Sequence, residues 1–304
     1  MAPPLIVRAL RLPFLTGSIM PVAVVATWAS LGRQLSWPLV LLTFLGVGFL
    51  HLGGNTINDY YDAAGSDAVN RRTTPFSGGS RVIQEGGLSR GVMLAMSLAS
   101  FGLALLCGLA LAWLGRPWVL AVGVAGLAGA WFYSGGPVAF MSRSLGEVVL
   151  FLVFGPILTW GAGYVFTGTW DWRPFVLGLP TGWVILAVLW INQFPDSQAD
   201  RSAGKINWVV RLGTAKARWV YALLMLLPYP TLALMVHLGG FTPWLYLGWL
   251  TLPLAVRAIA ICWRHHAEHA ALIPGQAQTI MTHLGLALCM VAGLLVRYLT
   301  AGGA

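Results

Sequence analysis

Long uninterrupted apolar stretches dominate this chain. Each is close to the roughly 20 residues that a helix needs to cross the hydrocarbon core of a bilayer. The apolar residues are continuous rather than alternating, which favours helices over the strands of a membrane barrel. We therefore predict nine transmembrane helices, at residues 13–31, 37–57, 91–114, 117–133, 145–166, 174–194, 219–238, 243–262 and 280–299.

Composition supports a membrane protein. Of the 304 residues, 58% are hydrophobic and 9% are charged, whereas a soluble domain carries about 25% charged residues. No polar stretch is long enough to fold as a soluble domain. We predict an all-α polytopic membrane protein in which residues 1–304 form one domain. The three cysteines lie in apolar segments without metal-ligand spacing and are interpreted as core thiols: Cys107, Cys262 and Cys289.

The net charge of +9 would suggest a nucleic-acid partner in a soluble protein, but it has another explanation in a membrane protein. The basic residues lie mostly between the predicted spans, so the membrane lipid surface explains them and no nucleic-acid partner is expected. With nine spans, fourteen of the eighteen Lys and Arg residues fall on the side of the N-terminus. The positive-inside rule then predicts a cytoplasmic N-terminus. We expect a multi-pass protein of a bacterial cell membrane.

Two loops on that cytoplasmic side, at about 58–90 and 195–218, hold six of the nine acidic residues, and five of these six are aspartates. Each loop follows the pattern Asn-x-x-x-Asp, formed by Asn55 with Asp59 and by Asn192 with Asp196. The two patterns are four predicted helices apart, which hints at an internal duplication.

The spacing of the acidic residues indicates a metal site. Asp59 and Asp62 are three apart, and Asp196 and Asp200 are four apart, so each pair shares a helix face if its helix continues past the membrane edge. Like charges so placed repel, and a cation between them is stabilising. Mg²⁺ is usually held by one or two carboxylates with substrate phosphate and water. Solvated loop charges are the alternative interpretation. Four basic residues could contact phosphate directly or simply follow the positive-inside rule: Arg72, Arg81, Arg201 and Lys205.

These segments resemble a known family. Asn58-Asp59-Tyr60-Tyr61-Asp62, with Gly65-Ser66-Asp67 after it, resembles the first Asp-rich motif of the UbiA-type intramembrane prenyltransferases. Asp196-Ser-Gln-Ala-Asp200, with Gly204-Lys205 after it, resembles the second. The resemblance covers nearly the whole chain. Gly65-Ser66-Asp67, Tyr133-Ser134-Gly135-Gly136-Pro137 and Asn192-Gln193-Phe194-Pro195-Asp196 resemble the branch that prenylates 1,4-dihydroxy-2-naphthoate in menaquinone synthesis. Gln198 and Ile206-Asn207 depart from the usual pattern.

The resemblance implies a nine-helix bundle with an active site at its cytoplasmic edge. It implies a Mg²⁺-dependent enzyme that transfers a prenyl group from a polyprenyl diphosphate to a small aromatic acceptor. The implied metal ligands are Asp59, Asp62, Asp67, Asp196 and Asp200. The implied catalytic residues are Asp59, Asp62, Asp196, Asp200 and Tyr133. The implied substrate contacts are Asn55, Asn58, Arg72, Arg81, Arg143, Asn192 and Lys205. Aromatic faces that could stabilise an allylic cation include Trp131, Phe132, Tyr133 and Trp190.

Other interpretations stay open at this point. A UbiA-like terpene cyclase would use the same acidic motifs. A secondary transporter would also have repeats and intramembrane acids. His265 and His269 have a possible metal-ligand spacing but no third ligand. His51, inside the second predicted span, is interpreted as a helix-packing hydrogen-bond partner. No motif specifies the prenyl chain length, the acceptor or the oligomeric state.

Overall fold

Helices make up most of residues 4–301, the part of the chain that the computed structural model describes. Short 3-10 helices lie at Leu12–Leu15, Phe140–Arg143 and Pro243–Thr251. The fifteen α-helices are α1 Leu5–Leu10, α2 Thr16–Ser30, α3 Trp37–Asp62, α4 Ser66–Val69, α5 Arg90–Trp113, α6 Val119–Ser134, α7 Gly146–Phe154, α8 Pro156–Thr167, α9 Trp172–Leu177, α10 Leu179–Ser202, α11 Trp208–Leu212, α12 Thr214–Leu226, α13 Pro228–Leu238, α14 Leu252–His265 and α15 His269–Ala301.

Within the described residues, eight helical segments are long and apolar enough to cross a membrane: Leu5–Ser30, Trp37–Asp62, Arg90–Trp113, Gly146–Thr167, Trp172–Ser202, Thr214–Leu238, Pro243–His265 and His269–Thr300. Helix α6 is apolar and occupies the fourth predicted span, but its 16 residues are fewer than a span usually has. The prediction of an all-α multi-pass membrane protein is confirmed. The count of nine spans stays a prediction.

Small residues bring the helices that carry the acidic residues close to their neighbours. A Cβ on Gly155, which precedes α8, would lie 2.8 Å from the Cα of Gly182 on α10. Gly53 of α3 is equally crowded by the Phe101 ring of α5, and its carbonyl accepts a 2.9 Å hydrogen bond from Ser97 Oγ. Such close backbone approach is typical of packed membrane helices. It fixes α3 and α10 in the bundle.

Helices α3 and α10 both continue beyond the apolar stretches from which they were predicted. Helix α3 reaches Asp62, and α10 runs through Pro195 to Ser202. The Asn58 Nδ2 atom donates to Asp62 Oδ2 at 3.0 Å within the last turn of α3. The predicted loops at 58–90 and 195–218 therefore begin as helix, which confirms that each acidic pair extends its span.

Candidate active site

The first acidic group consists of Asp59 and Asp62 on α3 with Asp67 on α4. Asp59 is 3% exposed, and its Oδ2 accepts a 3.1 Å hydrogen bond from the backbone N–H of Ser80. Its Oδ1 lies 3.9 Å from the guanidinium of Arg11. Asp67 is also buried. Burial and the neighbouring carboxylates of Asp62 and Asp59 raise the pKa of Asp67 to about 7. The raised pKa reflects carboxyl groups that are crowded together where water is scarce.

The second acidic group consists of Asp196 and Asp200 on α10. Asp196 accepts two hydrogen bonds from the loop after α4, from Asn70 Nδ2 at 2.7 Å and from the backbone N–H of Gly78 at 3.1 Å. Asp200 accepts a 2.7 Å hydrogen bond from Asn207 Nδ2. The same Asn207 caps α11 by accepting from the N–H of Val210. The two acidic groups are therefore linked through the loop that follows the first.

Lys205 lies between the two groups. Its Nζ is 2.7 Å from Asp62 Oδ2 and 4.0 Å from Asp200 Oδ1. Burial disfavours the charged amine, but the carboxylates of Asp62 and Asp200 outweigh this effect and raise the pKa of Lys205 above its usual range. Lys205 is therefore a permanent cation that bridges the acidic groups.

A glycine turn at Gly78-Gly79-Ser80 supplies backbone donors to both groups. Gly78 and Gly79 have φ values of +81° and +74°, which L side chains rarely adopt. A Cβ on Gly79 would also collide with the Asp67 carboxylate. This backbone conformation lets the N–H of Gly78 bond Asp196 while that of Ser80 bonds Asp59.

The donor set fits Mg²⁺. Asp59 Oδ1 is a buried oxygen without a hydrogen-bond partner, and the acidic groups offer only hard carboxylate oxygens. Within residues 4–301, no three His, Cys, Asp or Glu side chains approach closely enough to hold one metal ion between them. An ion here would thus have one or two protein carboxylates and would take its other ligands from substrate phosphate and water. That coordination is the usual one for Mg²⁺.

One cavity connects the acidic groups to the interior of the bundle. Asp62, Asp67, Asp196, Asp200 and Lys205 line its polar end. Leu50 precedes Asp62 by twelve residues of α3, which is about 18 Å along the helix axis. Apolar side chains line this deeper part: Leu50, Val153, Phe154, Leu158, Ile185 and Leu189. The cavity is therefore amphiphilic, with charge at one end and hydrocarbon at the other.

Most of the predicted site residues surround this cavity. Tyr133, Asn55, Asn58 and Asn192 line it. The Tyr133 hydroxyl is buried without a hydrogen-bond partner. The Asn58 Nδ2 atom donates to Ser134 Oγ at 2.6 Å, and Asn192 Oδ1 accepts from Gln276 Nε2 at 3.0 Å.

The predicted arginines are distributed differently. Arg81 donates to the backbone carbonyl of Asp67 and so contacts the first acidic group. Arg143 is exposed and donates to the Pro137 carbonyl at 3.0 Å. Arg72 lines a neighbouring pocket with Arg201 and His266. None of these three predicted arginines lines the main cavity, nor does Asp59, and the roles of the arginines stay predictions.

Several residues at the site carried no sequence signal. Asn70, Gly78 and Ser80 bond the acidic groups from a loop, and nothing in their spacing indicates those long-range contacts. Arg11 had only its charge as a signal. Trp190, considered as a cation-stabilising residue, instead donates to the Ala217 carbonyl at 3.0 Å and packs in the core.

Comparisons with known proteins agree with this geometry. The model of the UbiA prenyltransferase family matches residues 19–286. A protein of Mycobacterium tuberculosis named 1,4-dihydroxy-2-naphthoate octaprenyltransferase is 33% identical over 245 residues, which cover 80% of this chain and 81% of that protein. A Bacillus subtilis protein of the same name is 23% identical over 285 residues, covering 93% and 90%.

Solved structures share the fold. A UbiA homolog from Aeropyrum pernix K1 aligns with a TM-score of 0.72 at 17% identity and covers 93% of this chain and 97% of that one. A UbiA homolog from Archaeoglobus fulgidus, solved bound to GPP and Mg²⁺, aligns with a TM-score of 0.58 at 13% identity, covering 94% and 99%. The family match spans most of the chain and includes both acidic groups, and the chain is therefore a prenyltransferase of the UbiA family.

Proposed function

We propose that this protein transfers the prenyl group of a polyprenyl diphosphate to 1,4-dihydroxy-2-naphthoate, or to a closely similar hydroxylated aromatic acid, in the synthesis of a menaquinone-like quinone. The observation that carries the proposal is that Asp62 and Asp67 of the first acidic group and both members of the second line one end of a cavity whose other end is apolar. The names of the relatives from M. tuberculosis and B. subtilis support the choice of acceptor.

The diphosphate of the donor would lie at the polar end. Asp59, Asp62, Asp67, Asp196 and Asp200 would hold Mg²⁺ ions, with one or two carboxylates to each ion, and the bound metal would neutralise the charge that develops on a departing diphosphate. Lys205 already stands between Asp62 and Asp200 and would turn toward a phosphate oxygen. Arg11 and Arg81, beside Asp59 and Asp67, would add positive charge around the leaving group.

The prenyl chain would lie along the apolar part of the cavity. The bond between its C1 and the diphosphate oxygen breaks, and the oxygen keeps the electron pair. An electron-rich ring carbon of the acceptor forms the new C–C bond and then loses the group that it carried, either its proton, which the diphosphate can accept, or its carboxylate as CO₂. Water would capture an allylic cation, so an apolar lining protects the reaction. Tyr133 lines the cavity in the turn of α6 next to Ser134, the partner of Asn58. Its aromatic face would stabilise positive charge near C1.

The proposed topology follows from the charge distribution. The N-terminus and both acidic groups would face the cytoplasm, because fourteen of the eighteen basic residues lie on that side if the protein has nine spans. The diphosphate would then be delivered and released on the cytoplasmic side.

The test is a product assay with purified protein. The enzyme is incubated with Mg²⁺, prenyl diphosphates of increasing length and a panel of hydroxynaphthoic and hydroxybenzoic acids, and products are identified by mass. We expect a prenylated naphthoquinol-type product, and none from the Asp196→Asn variant. Product formed from the diphosphate without an acceptor would indicate a cyclase instead. Unchanged substrate carried into sealed vesicles would indicate a transporter.

A further inference from the structure

A polar pair lies in the otherwise apolar wall of the cavity. His51 is on α3 and Ser18 is on α2, and both line the cavity. Ser18 Oγ lies 2.7 Å from His51 Nδ1. Ser18 is 4% exposed and His51 is 8% exposed. Burying two polar groups beside a hydrocarbon site is unfavourable unless each finds a partner.

The position of His51 places the pair deeper than the charged groups. His51, Asn55, Asn58 and Asp62 follow the i, i+4, i+7, i+11 spacing of one helix face, and all four line the cavity. His51 is about 16 Å from Asp62 along the axis of α3. It therefore lies below the diphosphate-binding end, in the apolar part of the cavity.

The hydrogen bond to Ser18 satisfies only half of the imidazole. His51 Nε2 is buried without a hydrogen-bond partner. If Ser18 donates to Nδ1, then Nε2 carries a proton and is a free donor. If Nδ1 carries the proton, then Nε2 is a free acceptor. Phe154, which also lines the cavity, packs edge-on against the ring at 5.4 Å and provides no polar partner.

A helix-packing role explains Nδ1 but leaves Nε2 unexplained. His283 on α15 is a useful contrast, because it is also buried with an unpartnered Nε2. His283 is not among the residues that line the cavity. An unpartnered imidazole nitrogen is therefore not by itself a ligand site, and the location of His51 in the cavity makes the difference.

The chemistry of the two substrates limits what could bond His51. The diphosphate oxygens belong with the acidic groups and Lys205. The prenyl chain is a hydrocarbon and cannot form hydrogen bonds. The remaining polar groups are the carboxylate and the ring hydroxyls of the aromatic acceptor, and a neutral hydroxyl suits this apolar wall better than a charged carboxylate. We propose that His51, oriented by Ser18, hydrogen-bonds a ring hydroxyl of the acceptor through Nε2 and so holds the ring against C1 of the prenyl donor. This inference rests on the proposed function.

The test separates the two substrates kinetically. His51→Leu should raise the KM for the acceptor about 3- to 10-fold, the range for losing one neutral hydrogen bond. The KM for the prenyl diphosphate should change less than about 2-fold, because Leu suits a hydrocarbon. Ser18→Ala should raise the acceptor KM by a smaller factor. His51→Gln, which keeps a hydrogen-bonding group, should recover part of the loss. His283→Leu is the matched control and should leave both KM values unchanged.

A second measurement uses unreactive naphthalene derivatives, with and without the ring hydroxyl, as competitive inhibitors. The wild-type enzyme should bind the hydroxylated compound more tightly, and His51→Leu should bind the two equally, as expected of a direct contact. The inference is overturned if a folded His51→Leu or Ser18→Ala enzyme keeps the acceptor KM and the preference for the hydroxylated compound. That result would leave the proposed function standing. If the wild-type enzyme prenylates no aromatic acceptor, the proposed function fails and this inference fails with it.

Discussion

Asn70 donates its side-chain amide to Asp196 at 2.7 Å, across 126 positions of sequence. Asn70 follows the first acidic group, and Asp196 begins the second, so this bond makes the two groups parts of one site. The backbone N–H of Gly78 bonds the other oxygen of Asp196. In this structure the loop after α4 thus provides neutral hydrogen-bond donors where a metal and a diphosphate are proposed to bind.

Loss of either acidic group should abolish turnover. Asp59→Asn or Asp196→Asn is expected to lower kcat by at least about 10²-fold, because each removes charge that matters most as the diphosphate departs. The double variant should be little worse than the poorer single variant, since residues that work as a unit are not additive.

Asp171→Asn is the matched control for these variants. Asp171 caps α9 and pairs with Arg173, away from the cavity. Its replacement should leave kcat unchanged. Near-normal turnover in a folded Asp196→Asn enzyme would remove the second acidic group from the active site.

Removal of divalent metal should stop the reaction reversibly. Excess EDTA is expected to reduce product formation to background, and Mg²⁺ should restore it, because carboxylate oxygens are the metal ligands that the site offers. Intrinsic tryptophan fluorescence or thermal stability, followed during Mg²⁺ titration with a prenyl diphosphate, gives a readout independent of turnover. Full activity in excess EDTA would contradict the metal-dependent mechanism.

A divalent cation should be able to replace the positive charge that Lys205 places between Asp62 and Asp200. Lys205→Met leaves Asp62 and Asp200 without their shared counter-charge, and removing one partner of a buried ion pair costs about 3–5 kcal/mol. We expect a lower Tm for the variant and a larger stabilisation by Mg²⁺ than in the wild type.

Lys216→Met is the control, because Lys216 is the other lysine of the chain and is exposed. It should behave like the wild type in both measurements. Equal stabilisation of wild type and Lys205→Met by Mg²⁺ would show that the metal does not bind where the amine lies.

The contact between the glycine turn and the Asp67 carboxylate can be tested with two variants that carry the same backbone strain. Gly79→Ala and Gly86→Ala both place a side chain at φ +74°, which costs about 1–2 kcal/mol in each case. A Cβ at Gly79 meets the Asp67 carboxylate, whereas one at Gly86 meets nothing within 4 Å. Gly79→Ala should therefore lower activity at least about 10-fold more than Gly86→Ala, because carboxylate positions decide charge stabilisation. Equal activities of the two variants would place Gly79 outside the working site.

Membrane topology can be measured with single cysteines. In a background without Cys107, Cys262 and Cys289, cysteine at exposed Ser202 should react with an impermeant thiol reagent only after the cells are opened. Cysteine at exposed Thr169, between α8 and α9, should react in intact cells. The reverse pattern would invert the proposed orientation.

The sequence predicted those parts of the molecule that depend on local periodicity. Continuous apolar runs predicted the helical spans, and the spacing of Asp59, Asp62, Asp196 and Asp200 predicted that α3 and α10 extend beyond them. The alternative of loops with solvated acids fails for Asp59 and Asp200, which are buried. The acidic motifs also led to the correct family, and the prediction of a prenyltransferase is confirmed.

Contacts between distant segments were not predictable in the same way. The bonds from Asn70, Gly78 and Ser80 depend on how a loop folds back, and neither apolar periodicity nor charge spacing encodes that path. The sequence also does not determine the direction of a long arginine side chain. It therefore does not show that Arg81 contacts the first acidic group whereas Arg72 and Arg143 lie elsewhere. The apolarity of helix α6 predicts a span, although its 16 residues are fewer than a span usually has.

The amphiphilic cavity has a consequence for what happens after bond formation. Its charged end would release diphosphate, a molecule soluble only in water, while its hydrocarbon end would hold a prenylated ring, a molecule soluble only in lipid. The two products would therefore leave into different phases. Such partitioning would oppose the reverse reaction, because that reaction needs both products in the same site at the same time.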